Sequence, residues 1–270
     1  MFDHLKLLRC FSFTASRDWL FKQSFSHAGL RSVITDLSNG NPLASTTKTS
    51  MHCWIPKYPN RSKPNLLLLH GFGANAMWQY GEHLRAFTGR FNVYVPDLLF
   101  FGLSSTSEPN RSESFQAQCL MRLMEAHGVK KMSVVGISYG GFVGYSFAAQ
   151  FPEKVEKIVL CCAGVCLEEK DMEDGLFKVM CMEYVEEKRD LIKSILKDRR
   201  LSDLPRIKQK SLIIWGEEDQ IFPLELGYRL KRHIGDNADI VVIKKAGHAV
   251  NLEKSKEFLK HLKSFLIDSL

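Results

Sequence analysis

Residues 136–140 read Gly136-Ile137-Ser138-Tyr139-Gly140. The run Lys131-Met132-Ser133-Val134-Val135 before them has the apolar character of a strand, and Gly141-Phe142-Val143-Gly144-Tyr145 after them opens a helix. A chain that passes from strand to helix through one serine turns so sharply that the serine enters a sparsely populated backbone region. The residues two before and two after then come too close to carry a Cβ. Gly136 and Gly140 meet that demand. The turn would lift the Ser138 hydroxyl clear of the sheet, at the positive end of the following helix. A glycine-flanked serine also occurs in ordinary strand-to-helix turns; the strand before and the helix after favour a nucleophile at Ser138.

The rest of the chain alternates strands and helices. Arg31 to Leu37 and Thr49 to Ile55 read as two paired strands around the turn-rich Asn39-Gly40-Asn41-Pro42. Asn65 to Leu69 is continuously apolar, as a strand buried on both faces must be. Ala76 to Phe87 reads as a helix, Asn92 to Val95 as a strand, and Ser112 to His127 as a helix closed by Gly128. Strands follow at Lys157 to Leu160, Ser211 to Trp215 and Ile240 to Ile243, each with a helical stretch behind it. The fold class is therefore α/β, a mostly parallel sheet covered on both faces, whose ligands bind at the carboxyl ends of the strands. One domain over residues 45–268 is expected, preceded by an apolar and aromatic extension over 1–44.

The candidate chemistry lies at those carboxyl ends. Gly216-Glu217-Glu218-Asp219 follows one strand, and Ala246-Gly247-His248 follows the next. A serine hydroxyl is a poor nucleophile until a histidine takes its proton, and that imidazole needs an acid to fix its tautomer. Ser138, Asp219 and His248 stand in the order serine, acid, histidine, with Glu217 and Glu218 as rival acids. A lone acid or histidine in such a loop is usually surface; three residues in this order, each just beyond a strand, are the candidate catalytic set. After Leu69 comes His70-Gly71-Phe72-Gly73. Its glycines would let a tight loop aim the Phe72 N–H, together with the Tyr139 N–H, at a developing oxyanion, where one donor contributes about 3–4 kcal/mol. A plain glycine turn is the other reading of that loop.

Together, His70-Gly71-Phe72-Gly73, Pro96-Asp97, Phe101-Gly102-Leu103-Ser104, the Ser138 pentapeptide, Gly216 to Asp219 and Gly247-His248 resemble the α/β-hydrolase fold family over roughly residues 45–268. Gly73-Ala74-Asn75-Ala76-Met77-Trp78 and Pro96 to Gly102 look like the plant branch, similar to monoacylglycerol lipases and meta-cleavage-product hydrolases. The resemblance implies a serine esterase acting on small or single-chain acyl esters through an acyl-enzyme, with no metal and no cofactor. Carbon–carbon bond hydrolysis is the minority expectation. Epoxide hydrolases share the fold but need an aspartate where Ser138 stands. A slow-turnover receptor on this fold and an inactive variant are the alternatives of other classes.

In that family a helical cap is inserted between the strands at 157–160 and 211–215 and roofs the serine. Here the interval is short. Tyr184 to Lys197 is expected to pack on the sheet, which leaves a residual cap (165–182, chiefly Leu167 to Met182) truncated near Met180-Cys181 and an acyl pocket open to water.

Composition narrows the partners. The net charge of +7 raises nucleic acid or an anionic membrane surface, but Lys and Arg alternate with Glu along the helices, as on solvated faces. No nucleic-acid partner is expected. The seven cysteines are odd in number and lack C-x-x-C spacing, so they read as reduced core thiols and a cytoplasmic location. No apolar run approaches the ~18 residues that span a membrane. The N-terminal aromatics, among them Trp19, Phe21 and Phe25, are expected to pack on the domain first and to associate weakly with a membrane surface second.

Overall fold

The computed structural model describes residues 13–38, 47–168, 171 and 184–267. Helix α1 (Phe13–His27) precedes strands β1 (Leu30–Asp36), β2 (Thr49–Pro56) and β3 (Asn65–Leu69), then helices α2 (Ala76–Tyr80) and α3 (Arg85–Thr88). Next come β4 (Asn92–Pro96), the short β5 (Ser105–Thr106), α4 (Glu113–Ala126), β6 (Met132–Ile137), α5 (Tyr139–Gln150) and β7 (Val155–Cys161). The chain ends through α6 (Val185–Leu196), β8 (Lys210–Gly216), α7 (Leu224–Ile234), β9 (Ala238–Ile243), α8 (Val250–Glu253) and α9 (Ser255–Ile267).

The strands form one sheet in the order β1-β2-β4-β3-β6-β7-β8-β9, with β5 on the edge of β2. β1 and β4 run antiparallel to β2, and every pairing from β4 to β9 is parallel. Period-2 alternation divides the core between the two faces. Leu67 and Leu69 of β3 join one buried cluster with Val134, Ile213 and Trp215, under α4, α5 and α7. Leu66 and Leu68 join the other with Val135, Ile214, Tyr80 and Phe258, under α2 and α9. A strand with both neighbouring side chains buried has no polar position left, which is why β3 is a run of leucines. Ser112 caps α4 by accepting the Phe115 N–H at 3.1 Å, at the boundary expected from sequence.

Three expectations change in three dimensions. The helix expected over Ala76 to Phe87 is two short ones, because the chain loosens after Gly81, a poor helix former. The Phe21 ring packs so closely there that a Cβ on Gly81 would lie 2.4 Å from it. β1 pairs with β2 along its whole length, so the sheet takes in residues assigned above to the extension over 1–44. The described part of that extension packs on the domain. Phe25 meets Trp54 at 4.9 Å between ring centroids, and Trp78 Nε1 donates to Asp18 at 2.7 Å.

The third change concerns Tyr184 to Lys197, which do not simply pack on the sheet. α6 turns Ile192 and Ile195 into a cavity beside Ser138, and the Lys188 ammonium sits 4.9 Å above the Phe101 ring. Leu191, Ile192 and Ile195 share one helical face, and the apolar surface available to that face lies at the carboxyl ends of the strands. This helix therefore roofs the cavity in part. Most of the residual cap, including Met180-Cys181, lies outside the described residues.

Among the described residues no helix is long and apolar enough to cross a membrane. Cys53, Cys119, Cys161, Cys162 and Cys166 are buried free thiols.

Candidate active site

Ser138 joins β6 to α5 with φ 52° and ψ −118°, a conformation that costs an L-residue on the order of 1–3 kcal/mol. The crowding inferred from sequence is present. A Cβ on Gly136 would lie 2.4 Å from the Gly140 carbonyl oxygen, and one on Gly140 would lie 2.4 Å from the Leu69 carbonyl oxygen. Backbone cannot yield to either contact without moving Ser138. Gly140→Ala is therefore expected to lower stability by roughly 1–3 kcal/mol and to remove most ester turnover. Urea unfolding run beside an esterase assay checks both; an alanine variant with wild-type values for each would mean the elbow is looser than its geometry.

Past β9, His248 turns back over the sheet and places Nε2 2.9 Å from Ser138 Oγ. Its Nδ1 lies 2.9 Å from Asp219 Oδ2 and 3.1 Å from Oδ1. The Asp219 side chain is fully buried and also accepts the Ile221 and Phe222 N–H groups, both at 2.9 Å. Those two amides and the imidazole leave the carboxylate little freedom to rotate. Because a carboxylate only accepts, Nδ1 carries the proton and Nε2 is free to accept from the serine hydroxyl. Glu217 and Glu218 point to solvent, and Glu217 is occupied by the Lys245 N–H at 3.1 Å. Of the three acids considered, the fold brings only Asp219 to the histidine.

The other half of the arrangement is the loop after β3. Gly71 presses on the elbow, and a Cβ there would stand 3.3 Å from the Ser138 Cβ. The Gly71 N–H is tied to Gln79 Oε1 at 3.1 Å. His70 is fully buried, and burial pulls its pKa down, so the ring is neutral. Its Nε2 accepts the Leu98 N–H at 2.9 Å, which leaves Nδ1–H to donate to the Gly71 carbonyl at 2.9 Å. The loop carrying Phe72 is thus pinned from both sides. Tyr139 begins α5, where its N–H has no carbonyl one turn earlier. The Phe72 and Tyr139 rings meet edge to face at 5.9 Å. His70 was singled out in sequence only as part of the loop motif, and Gln79 not at all; their pinning roles escaped the sequence reading because they depend on contacts with Leu98 and Gly71 that only the fold creates.

Also unforeseen is a second hydrogen-bonded chain, from Ser32 Oγ to His52 Nε2 at 2.8 Å and from His52 Nδ1 to Asp97 Oδ2 at 2.8 Å. Ser32 lies mid-strand opposite Trp54, not at an elbow. Asp97 also accepts the Ala76 and Leu103 N–H groups. Burial pushes its carboxyl up, but the hydrogen bond from His52, the electrostatics of the two neighbouring histidines and the Ala76 N–H together offset this and hold it below the ordinary range. This chain ties β1 and β2 to the loop after β4.

Between Ser138 and α6 lies a cavity of about 180 Å³, walled chiefly by Phe72, Phe142, Leu167, Ile192, Ile195 and Phe222. Among the described lining residues there is no Asp, Glu, Lys or Arg; the titratable ones are His248 and Tyr139, whose phenol burial keeps neutral. The site is an apolar chamber with one hydroxyl and one imidazole on its floor.

Sheet order, elbow and strand-end residues define the α/β-hydrolase fold, and this chain has it. Residues 64–180 match the family model described as the α/β hydrolase fold. An uncharacterized protein of Mycobacterium tuberculosis strain H37Rv is 36% identical over 38% of the chain, and the matched part spans 30% of that relative's length. The 2-hydroxy-6-oxo-2,4-heptadienoate hydrolase of Pseudomonas putida is 25% identical over 74% of the chain and 88% of its own length. Among solved structures, carboxylesterase CesB of Bacillus subtilis superposes with a TM-score of 0.67 at 16% identity, covering 95% of this chain and 99% of that one. At such identity the likeness is one of fold.

Proposed function

We propose that this protein is a serine hydrolase that cleaves small carboxylic esters through an acyl-enzyme on Ser138. The observation that carries this reading is the unbroken run from Ser138 Oγ through His248 to buried Asp219, at 2.9 Å on both sides of the imidazole. In the proposed reaction Ser138 Oγ attacks the ester carbonyl while its proton passes to His248 Nε2. The imidazolium is stabilised by Asp219, and the carbonyl oxygen takes up negative charge before the Phe72 and Tyr139 N–H groups. Collapse transfers the proton to the leaving alcohol. Water, deprotonated by the same histidine, then releases the acid from Ser138. No step calls for a metal or cofactor.

The cavity limits the acyl group. An apolar space of ~150 Å³ accepts a molecule the size of benzene, and this one is only slightly larger at about 180 Å³. Each buried methylene contributes about 0.8 kcal/mol, roughly fourfold in affinity. kcat/KM on p-nitrophenyl esters is therefore expected to climb from acetyl to butyryl or hexanoyl and then flatten. A preference still rising at dodecanoyl would mean that the chain lies along another surface. A fluorophosphonate probe tests the reading itself: labelling at Ser138, mapped by mass spectrometry, is expected, and an unlabelled folded protein would remove it.

A second reading, hydrolysis of a carbon–carbon bond in a hydroxy-oxo-dienoate, is favoured by the named Pseudomonas putida relative. Such a substrate carries a carboxylate, and the described lining offers no Lys or Arg to meet it. The ester reading stands first for that reason.

A further inference from the structure

Close to the imidazole and to Asp219 lies a group the proposed reaction does not use. Cys162, the first residue past β7, is fully buried with φ 45°. One donor atom each from Cys162, Asp219 and His248 lie within 4.8 Å of one another. This brings a thiol, a carboxylate and an imidazole nitrogen, the three side-chain types that bind zinc, to one point. Tetrahedral zinc places such donors roughly 3–4 Å apart, so a contraction of about 1 Å completes a three-ligand set with one position open to water. The charges also close: a divalent cation with one thiolate, one carboxylate and a neutral imidazole is neutral overall, which is what a buried site requires.

We infer that Cys162, Asp219 and His248 form an inhibitory zinc site that switches the Ser138 centre off. This deepens the reading of that centre as a serine hydrolase and rests on it. On binding, the Cys162 thiol gives its proton to solvent and its sulfur bonds the metal. Asp219 exchanges its hydrogen bond from the imidazole for a metal–oxygen bond. His248 binds through Nδ1, whose proton shifts to Nε2. With a proton on Nε2 the ring donates to Ser138 Oγ instead of accepting from it, and the serine loses its base. Removing the metal restores the starting tautomer. Hard cations such as magnesium and calcium prefer all-oxygen sets and should leave the enzyme untouched.

The test uses the full chain with Zn²⁺ and Co²⁺ as probes, and with Cys162→Ala and Cys162→Ser as separate variants, each first shown to be folded by circular dichroism. Expected are one zinc bound per chain, a thiolate-to-cobalt charge-transfer band in the near ultraviolet, and ester turnover that falls with zinc and returns with EDTA. Both variants should keep turnover, lose the cobalt band, and need at least tenfold more zinc for half-inhibition. Unchanged zinc sensitivity in folded Cys162→Ala or Cys162→Ser, or cobalt binding without the band, would overturn the site. The binding and spectral measurements need no activity. A protein inert toward esters that still binds zinc through Cys162 would therefore sink the hydrolase reading and the inhibitory role while leaving the metal site, and a fully active enzyme that binds no zinc would do the reverse.

Discussion

Ser138→Ala is expected to lower p-nitrophenyl butyrate turnover by a factor on the order of 10⁶, to a trace, while the circular dichroism spectrum and melting temperature stay close to wild type. The two halves of this expectation have separate causes. The hydroxyl stands at the cavity floor and its hydrogen-bond partner among the described residues is His248 Nε2, so its removal opens no void in the core. The elbow itself survives, because its conformation depends on Gly136 and Gly140 rather than on Oγ. The remaining loop and helix amides can still polarise a bound carbonyl, which is why a small residue of catalysis can outlast the nucleophile. Substantial turnover in the purified alanine variant would mean that another group attacks the ester. Ser32, hydrogen-bonded to His52, would be the next serine to replace.

Asp219→Asn is expected to cost about 10⁴ in kcat/KM, close to 5.5 kcal/mol of transition-state stabilisation. The packing should be nearly unaffected, since the asparagine carbonyl can still accept the Ile221 and Phe222 N–H groups that now reach Oδ1. The difference lies at the other atom. An amide NH₂ facing His248 Nδ1 requires that nitrogen to be an acceptor, so the ring proton moves to Nε2 and the base is lost. Glu217→Gln and Glu218→Gln, on exposed side chains, should stay within about twofold of wild type. Comparable small losses at all three positions, read as kcat/KM on one ester, would take Asp219 out of the reaction. The zinc state inferred above and the asparagine variant would disable the enzyme in the same way, by holding the proton on the wrong imidazole nitrogen.

Which parts of this arrangement could be read along the chain follows from how local their causes are. Gly136 and Gly140 are demanded by a clash between residues a few positions apart, and that demand is visible in five letters. The leucines of β3 are demanded by burial on both faces, which a strand in a parallel sheet cannot avoid. The order Ser138, Asp219, His248 was also visible, and parallel topology brings the ends of β6, β8 and β9 to one edge of the sheet.

The choice among Glu217, Glu218 and Asp219 is different. It rests on which carboxylate the turn after β8 buries against two backbone N–H groups, a matter of fold that chemical type only suggests. The placement of α6 was misjudged for a related reason. Its apolar face is plain in the sequence, but a helix face does not say which apolar surface it will meet, and the cavity above Ser138 competes with the sheet for it. Ser32 with His52 and Asp97, and Cys162 with Asp219 and His248, are separated by tens of residues and follow no spacing rule; they meet because strands distant in sequence lie side by side. Local sterics and periodicity thus carried the elbow, the strands and the order of the site residues. Long-range packing alone decided which acid is buried, which helix covers the cavity, and which thiol comes close to the histidine.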